Sequence, residues 1–318
     1  MQSQPFRIAL AGLGTVGACV ARDIIAFSDH YTRQCGRNVE IVAVCARDRA
    51  KNRGIDFSDT VTWYDDPVQM AQECDCDCIV ELMGGTGPNV TKTVRVALEK
   101  SLYVVTANKA FLAQNASLLH HPMVRYEAAV AGGIPVIATI KDSLRANRIT
   151  KITAILNGTC NYILHTLEQE PQEFADIIKK AQDAGYAEAD PTLDISGVDA
   201  MQKAIILSHL AFGSAPDVAD IVLDGLDANT PDRVRAACAD NEVIRMVAEI
   251  EQKQSDITIS VVQKRFKRTD DFANVVGAQN AIFIESDPVN TLFLKGYGAG
   301  GKPTSSAVLA DICAFALR

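Results

Sequence analysis

The sequence lacks several features that would assign a class at once. No apolar run reaches the roughly 18 to 20 residues needed to span a bilayer. No basic segment or cleavage pattern precedes the first apolar stretch, since Met1-Gln2-Ser3-Gln4-Pro5 runs almost directly into Ile8-Ala9-Leu10-Ala11. A leader peptide and a membrane anchor are therefore not expected. Positive charge is in deficit: 31 Lys and Arg face 39 Asp and Glu, a formal net charge of −8, which argues against a general affinity for nucleic acid or anionic membranes. Histidine is scarce, five in all with His120 and His121 adjacent in a loop and no metal-ligand spacing, so no transition-metal site is expected. The nine cysteines are an odd number without a secretory context, and read as reduced thiols in the cytoplasm rather than as a disulfide framework. Cys74, Cys76 and Cys78 lack zinc spacing and lead into an apolar strand pattern, Ile79-Val80-Glu81-Leu82, so they read as small buried hydrophobes.

What is present is a long chain with a large apolar share. At 318 residues and 48% hydrophobic content it can bury one large or two medium cores without metal or disulfide support. Its first half alternates β-branched runs with helical stretches: strands at Arg7–Ala11, Val39–Cys45, Cys78–Met83, Tyr103–Thr106 and Pro135–Ala138, helices at Val16–Phe27 and Val90–Lys100. That alternation predicts an α/β fold, a doubly wound parallel sheet of Rossmann type with helices on both faces. After about residue 139 the pattern changes. Strands are expected at Ile149–Leu156, Ile257–Gln263, Ala281–Glu285 and Thr291–Lys295, and helices at Asn161–Gln169, Phe174–Ala184, Val198–Phe212 and Ser305–Leu317. The expected organisation is a dinucleotide-binding domain over residues 1–138, completed by about 298–318, and a second α+β domain over 139–297.

Gly12-Leu13-Gly14-Thr15-Val16-Gly17 has the form G-x-G-x-x-G, after a predicted strand and before a predicted helix. In that context Gly12 permits a tight turn, Gly14 lets the backbone approach a pyrophosphate, and Gly17 lets the helix pack closely. The helix start would present free N–H groups to the anion. The other reading is a glycine-rich turn without a ligand. At the end of the second strand, where an NAD site usually carries an acid, the first charged residue is Arg47, with Arg49, Lys51 and Arg53 nearby. NADP is favoured, with Asp48 keeping NAD open.

Residues 185–203 place four carboxylates ahead of an apolar helix, and Asp199 and Lys203 are four apart on one helix face. A helix-surface ion pair capped by Asp194 or Ser196 is the plain interpretation. Beside a nicotinamide site another opens, because oxidising an alcohol requires that a hydroxyl proton leave with the hydride, and a placed lysine such as Lys203 can take or return it. Glu188, Asp194 and Asp199 would then suit a cationic ammonium group, hence an amino-acid substrate. Thr106-Ala107-Asn108-Lys109 ends a predicted strand where open α/β sheets bind ligands, so Lys109 is a candidate for cofactor or substrate contact. Cys160 could be a nucleophile, though the nearest histidine is His165, five residues on in the predicted helix. Gly296-Tyr297-Gly298-Ala299-Gly300-Gly301 offers a second backbone cradle or a flexible turn.

Five ordered blocks resemble the homoserine dehydrogenase family over nearly the whole chain: Gly12–Gly17, Thr106–Lys109, Tyr126–Pro135, Asn157–Leu164 and Gly185–Lys203, with Gly298, Ala299, Gly300 and Thr304 fitting as well. The resemblance implies NAD(P)-dependent interconversion of L-homoserine and L-aspartate 4-semialdehyde, on the route to threonine, methionine and isoleucine, by a cytoplasmic homodimer. It makes Lys203 the catalytic lysine, Lys109 a second active-site lysine, Glu188 and Asp199 the substrate-binding carboxylates and Asp194 a further acid of the site. Cofactor contacts fall on Gly12, Leu13, Gly14, Thr15, Val16, Gly17, Arg47, Thr106, Lys109, Gly185 and Gly300. A sodium ion maps onto Glu127, Val130, Gly132 and Ile134. Many members continue into a C-terminal regulatory domain responsive to threonine, whereas this chain stops at Arg318, so the resemblance is to a short form. Two alternatives remain at this stage: an aldehyde dehydrogenase of the aspartate-semialdehyde type using Cys160, and a nucleotide-binding sensor without catalysis.

Overall fold

A computed structural model of the chain describes residues 4–187 and 189–318. It forms two compact units, one running up to Gly133 and completed by Ala299–Arg318, the other spanning Ile134–Gly298. Among the described residues no helix is long and apolar enough to cross a membrane.

The first unit is built on β1 (Phe6–Ala11), β2 (Val39–Cys45), β3 (Thr62–Tyr64), β4 (Cys78–Glu81), β5 (Tyr103–Thr106) and β6 (Val124–Arg125). They form one parallel sheet in the order β3-β2-β1-β4-β5-β6. The reversal of strand order between β1 and β4 opens a crevice at their carboxyl ends, where doubly wound sheets hold dinucleotides. Central β1 and β4 are buried almost throughout because helices cover both faces, which is why they read as apolar runs rather than alternations. The helix Thr15–Ala26 buries Gly17, Ala18, Val20, Ala21 and Ile24, a stripe at helical spacing. The C-terminal helix Gly301–Ala316 returns to the same unit: Phe315 stacks on Tyr103 at 4.2 Å between centroids, and Asp311 accepts the backbone N–H of Glu127 at 2.7 Å.

The second unit carries β7 (Arg148–Ile155), β8 (Val222–Leu223), β9 (Glu242–Lys253), β10 (Asp256–Lys267), β11 (Gln279–Asp287) and β12 (Asn290–Tyr297), ordered β12-β11-β7-β9-β10-β8. All its pairings are antiparallel except β8 with β10. The chain thus combines a Rossmann-like α/β layer structure with a separate mixed sheet, as the sequence pattern predicts.

Two local expectations differ. Pro135–Ala138, expected as a strand, is the start of helical chain: Val136–Ala138 is α-helical and Thr139–Ser143 continues as a π-turn. The β-branched pair Val136-Ile137 suggested a strand, but buried Ile137, Ile140 and Leu144 recur at i, i+3 and i+7, and Pro135 stands where a helix tolerates it. The twelve-residue β9, which pairs with both β7 and β10, was not foreseen. Its buried run, residues 243–248, is interrupted by Arg245, a charged residue that is nonetheless fully buried, ion-paired with Glu168 and donating to the carbonyls of Phe272 and Ala273.

Candidate active site

In the first unit the glycine turn lies between β1 and the helix Thr15–Ala26. Gly12 has φ +107, and a Cβ there would stand 2.5 Å from the carbonyl oxygen of Leu82. One at Gly17 would stand 2.0 Å from the carbonyl oxygen of Gly12. Both positions exclude side chains because the turn folds tightly on itself and on the segment after β4. Gly14 is different: nothing lies within 4 Å of its absent Cβ. Its glycine keeps a surface bare at the helix start, where backbone N–H groups attract a phosphate. Leu13 is buried, while Gly14 and Thr15 are exposed and Val16 is half-buried.

The segment after β2 leans on this turn. Arg53 Nε donates to the Leu13 carbonyl at 3.0 Å, and its other nitrogens hold the carbonyls of Lys51 and Asp48. One carboxylate oxygen of Asp48 accepts the N–H groups of Ala50 and Lys51, at 2.9 and 3.1 Å, an Asx turn that commits it locally. Arg49 packs over Trp63 at 5.3 Å, and Arg47 is exposed. At the end of β5, the Thr106 hydroxyl donates to Glu81 and accepts from the Asn108 N–H, and Lys109 opens the helix Lys109–Gln114 that Asn108 caps through the Phe111 N–H. Gly300 caps the C-terminal helix, whose first residue lies close to Thr15 and Cys19.

In the second unit the charges converge. Lys203, on the helix Val198–Phe212, donates through Nζ to Asp199 Oδ2 and to the Leu156 carbonyl, both at 2.7 Å. Asn157, which follows β7, donates through Nδ2 to Asp194 Oδ1 at 2.8 Å and Asp199 Oδ2 at 2.9 Å, while its Oδ1 accepts the Cys160 N–H at 2.8 Å and caps the helix Gly158–Gln169. The Thr159 hydroxyl donates to the Tyr186 carbonyl at 2.6 Å and lies 3.3 Å from Asp194 Oδ2. Lys203 and Asp199 are 9% and 7% exposed, so the pair is not the solvated surface bridge of the plain interpretation. Burial raises the Asp194 carboxyl above its usual range; Asn157 opposes the shift, neighbouring Asp199 adds to it, and Lys203 and Thr159 counter it.

A family profile described as "Homoserine dehydrogenase, NAD binding domain" matches residues 12–133, and one described as "Homoserine dehydrogenase" matches 135–313. The homoserine dehydrogenase of Neisseria gonorrhoeae is 37% identical over 97% of this chain and 72% of its own length. This chain belongs to the homoserine dehydrogenase family. The crystal structure of a homoserine dehydrogenase from Thiobacillus denitrificans superposes with a TM-score of 0.91 at 34% identity, covering 99% of this chain and 74% of that one. A hyperthermophilic archaeal homoserine dehydrogenase mutant in complex with NADPH gives 0.82 at 25% identity, with 97% of both chains covered.

Lys203, Asp199 and Asp194 come together; Gly185, at φ +76, follows the helix Phe174–Asp183 on the chain leading into this cluster. Glu188 lies outside the described residues. Cys160 is fully buried, donates to the Asp194 carbonyl at 3.2 Å, and has its thiol pushed well up by burial and by Asp194 and Asp199. It is not the thiolate that the aldehyde dehydrogenase reading required, and that alternative has no support. Cys74, Cys76 and Cys78 are buried, and among the described residues no group of three or more His, Cys, Asp or Glu is arranged to hold a metal ion.

Three contributors escaped sequence reasoning. Asn157 was legible only as the start of a family block, because a bridge to Asp194 and Asp199, 37 and 42 residues away, has no local signature. The Leu156 carbonyl is likewise a product of strand placement. Arg53 was counted among basic neighbours, not as the group that holds Leu13.

Proposed function

We propose that this chain acts as a homoserine dehydrogenase in which Lys203 carries the proton at the substrate oxygen. Membership of the family makes it an NAD(P)-dependent oxidoreductase acting on a CH–OH group, interconverting L-homoserine and L-aspartate 4-semialdehyde. The observation that carries the lysine assignment is the buried Nζ held by Asp199 and the Leu156 carbonyl. An ammonium group has three N–H donors, and these two acceptors use two of them. The third serves the substrate's C4 oxygen, giving a proton as aldehyde becomes alcohol and taking it back in reverse. Asn157 keeps the two aspartates in register, Asp199 and Asp194 form an acidic side on which a substrate ammonium binds, and Glu188 is taken from the family resemblance as a further substrate-binding carboxylate. The bound nicotinamide supplies or accepts the hydride.

The turn Gly12–Gly17 and the helix start behind it suit a pyrophosphate, and exposed Arg47 with Asp48 turned inward on its own loop supports NADP over NAD. Thr106, Lys109, Gly185 and Gly300 are the further cofactor positions, with Lys109 as a second active-site lysine. For sodium, the chain between Glu127 and Ile134 offers hard carbonyl oxygens, and Ala131 and Gly132 are left-handed in succession, φ +53 and +42, a strained reversal that a cation can stabilise. Glu127, Val130, Gly132 and Ile134 would hold the ion there, where its charge orders the segment. A cytoplasmic homodimer serving threonine, methionine and isoleucine formation completes the reading.

The test follows NADPH absorbance with aspartate 4-semialdehyde, then NADP reduction with homoserine, in wild type and Lys203→Ala. The wild type turns over in both directions, and the variant loses about 10²- to 10⁴-fold in kcat while still binding nucleotide. Absence of wild-type turnover in either direction refutes the reading.

A further inference from the structure

Glu81 ends β4, the strand beside the crevice, and its side chain is wholly buried. Among the described residues no cation pairs with it. Its carboxylate instead accepts two neutral donors: Oε2 from the Thr106 hydroxyl at 2.6 Å, Oε1 from the Met83 N–H at 2.8 Å. Burial raises its pKa, opposed by Thr106, Met83, Gly84 and Asn108. Sinking a carboxylate here without a counter-charge is costly, and a neutral residue would do if only packing were needed.

The bonds continue outward from each oxygen. Thr106 Oγ1 accepts the Asn108 N–H at 3.0 Å; Asn108 donates through Nδ2 to the Gly85 carbonyl at 2.7 Å and caps the helix whose first residue is Lys109. Met83 directly follows Leu82, whose carbonyl oxygen forms the floor beneath Gly12. One side chain therefore spans the segment under the phosphate turn and the start of the Lys109 helix. The position demands two acceptors at once, which a carboxylate has and a glutamine amide, with one oxygen and one donor nitrogen, does not.

We infer that Glu81 is a positioning residue for the reaction: its two carboxylate oxygens lock the turn after β4 to the N-cap of the Lys109 helix and so fix where Lys109 stands. The inference rests on the dehydrogenase reading for Lys109's role, and its geometry can be tested apart from that reading.

The experiment uses the full chain with Glu81→Leu, which removes both acceptors, and Glu81→Gln, which keeps one. Hydrogen exchange by mass spectrometry follows the peptide covering Asn108–Gln114, and kcat for aspartate 4-semialdehyde reduction is measured well below each variant's Tm. Exchange of that peptide rises at least tenfold in Glu81→Leu and less in Glu81→Gln, and kcat falls about 10²-fold and about tenfold respectively, as expected for a reacting group displaced by about an ångström. A residue that only stabilises the fold would lower Tm and leave kcat of the folded enzyme untouched; that result, or unchanged exchange at 108–114, overturns the inference. If Glu81→Leu does not fold, Glu81→Gln decides alone, and wild-type kcat and exchange in it overturn the inference. Failure of the wild type to turn over refutes the dehydrogenase reading instead, while exchange still tests the Glu81 lock.

Discussion

Replacing Asn157 separates the two jobs of one side chain. Asn157→Ala removes the cap on the Cys160 N–H, worth about 1 kcal/mol, and the donor shared by Asp194 and Asp199, leaving buried acceptors short at about 1–3 kcal/mol. The sum, about 2–4 kcal/mol, lowers the melting temperature of this unit by about 4–15 °C. Loss of register around Lys203 lowers kcat by about 10²-fold. The effect is pH-dependent with a definite sign. Asp194 already titrates above its usual range because of burial, so the folded state holds a proton that the unfolded chain releases. The stability this group contributes is therefore fully present at low pH and is lost as pH rises from about 4 through the raised folded value. Removing Asn157, which opposes that shift, extends the window upward, so wild type and variant differ more at pH 8 than at pH 5. Asn157→Asp keeps the capping oxygen but sets a third carboxylate about 3 Å from two others, a repulsion of about 5 kcal/mol per pair at an effective dielectric of about 20 until one group binds a proton. It is the worse enzyme at pH 8 and recovers part of its activity by pH 5.5. Calorimetric melts and NADPH-coupled kcat over pH 5–8.5 read all of this. Asn157→Ala with wild-type melting and kcat at pH 8 would falsify the account.

The glycine turn gives a contrast between neighbours: Gly17→Ala places a methyl 2.0 Å from the Gly12 carbonyl oxygen and costs stability, while Gly14→Ala meets nothing, melts as wild type and binds NADPH more weakly. Equal melting temperatures for the two alanine variants would contradict it. Cys160 is inaccessible and held as thiol, so iodoacetamide at pH 7.5 leaves native activity intact and Cys160→Ala stays within about threefold of wild-type kcat, checked by peptide mass mapping and turnover; rapid inactivation by alkylation of this thiol would count against the assignment. Arg47→Ala raises KM for NADPH at least fivefold and leaves that for NADH nearly unchanged, and equal changes in both would remove the argument for a 2′-phosphate contact.

The parts of this molecule that could be read from sequence are those whose signal is local. β1, the glycine turn and the helix after it announce themselves by an apolar run, G-x-G-x-x-G and a 3.6-residue stripe within some twenty residues. The helix Val198–Phe212 begins and ends where its composition says, between Gly197 and Gly213. What escaped was set by distant partners. Arg245 is tolerable inside β9 only because Glu168 and the carbonyls of Phe272 and Ala273 await it, and none of these is near in sequence. Glu81 was absorbed into an apolar strand pattern for the same reason: its partners sit at the end of the neighbouring strand and in the turn that follows. Pro135–Ala138 failed the other way, a β-branched dipeptide outweighing a helical spacing completed only at Leu144.

Charge burial follows different chemistry at the two aspartates of the second unit, and the difference bears on how each would respond to a ligand. Asp199 is matched by a cation, so its charge is balanced before any substrate arrives, and an incoming ammonium competes with an ammonium already present. Asp194 has, among the described residues, no ion-pair partner: the amide of Asn157 and the Thr159 hydroxyl contact it, Lys203 acts on it at longer range, and burial still raises its pKa. A cationic substrate gains more by approaching Asp194 than Asp199, because there its charge removes a desolvation penalty instead of sharing an existing pair. On the proposed reading Asp199 both holds Lys203 and borders the substrate ammonium, while Asp194 adds the stronger electrostatic attraction.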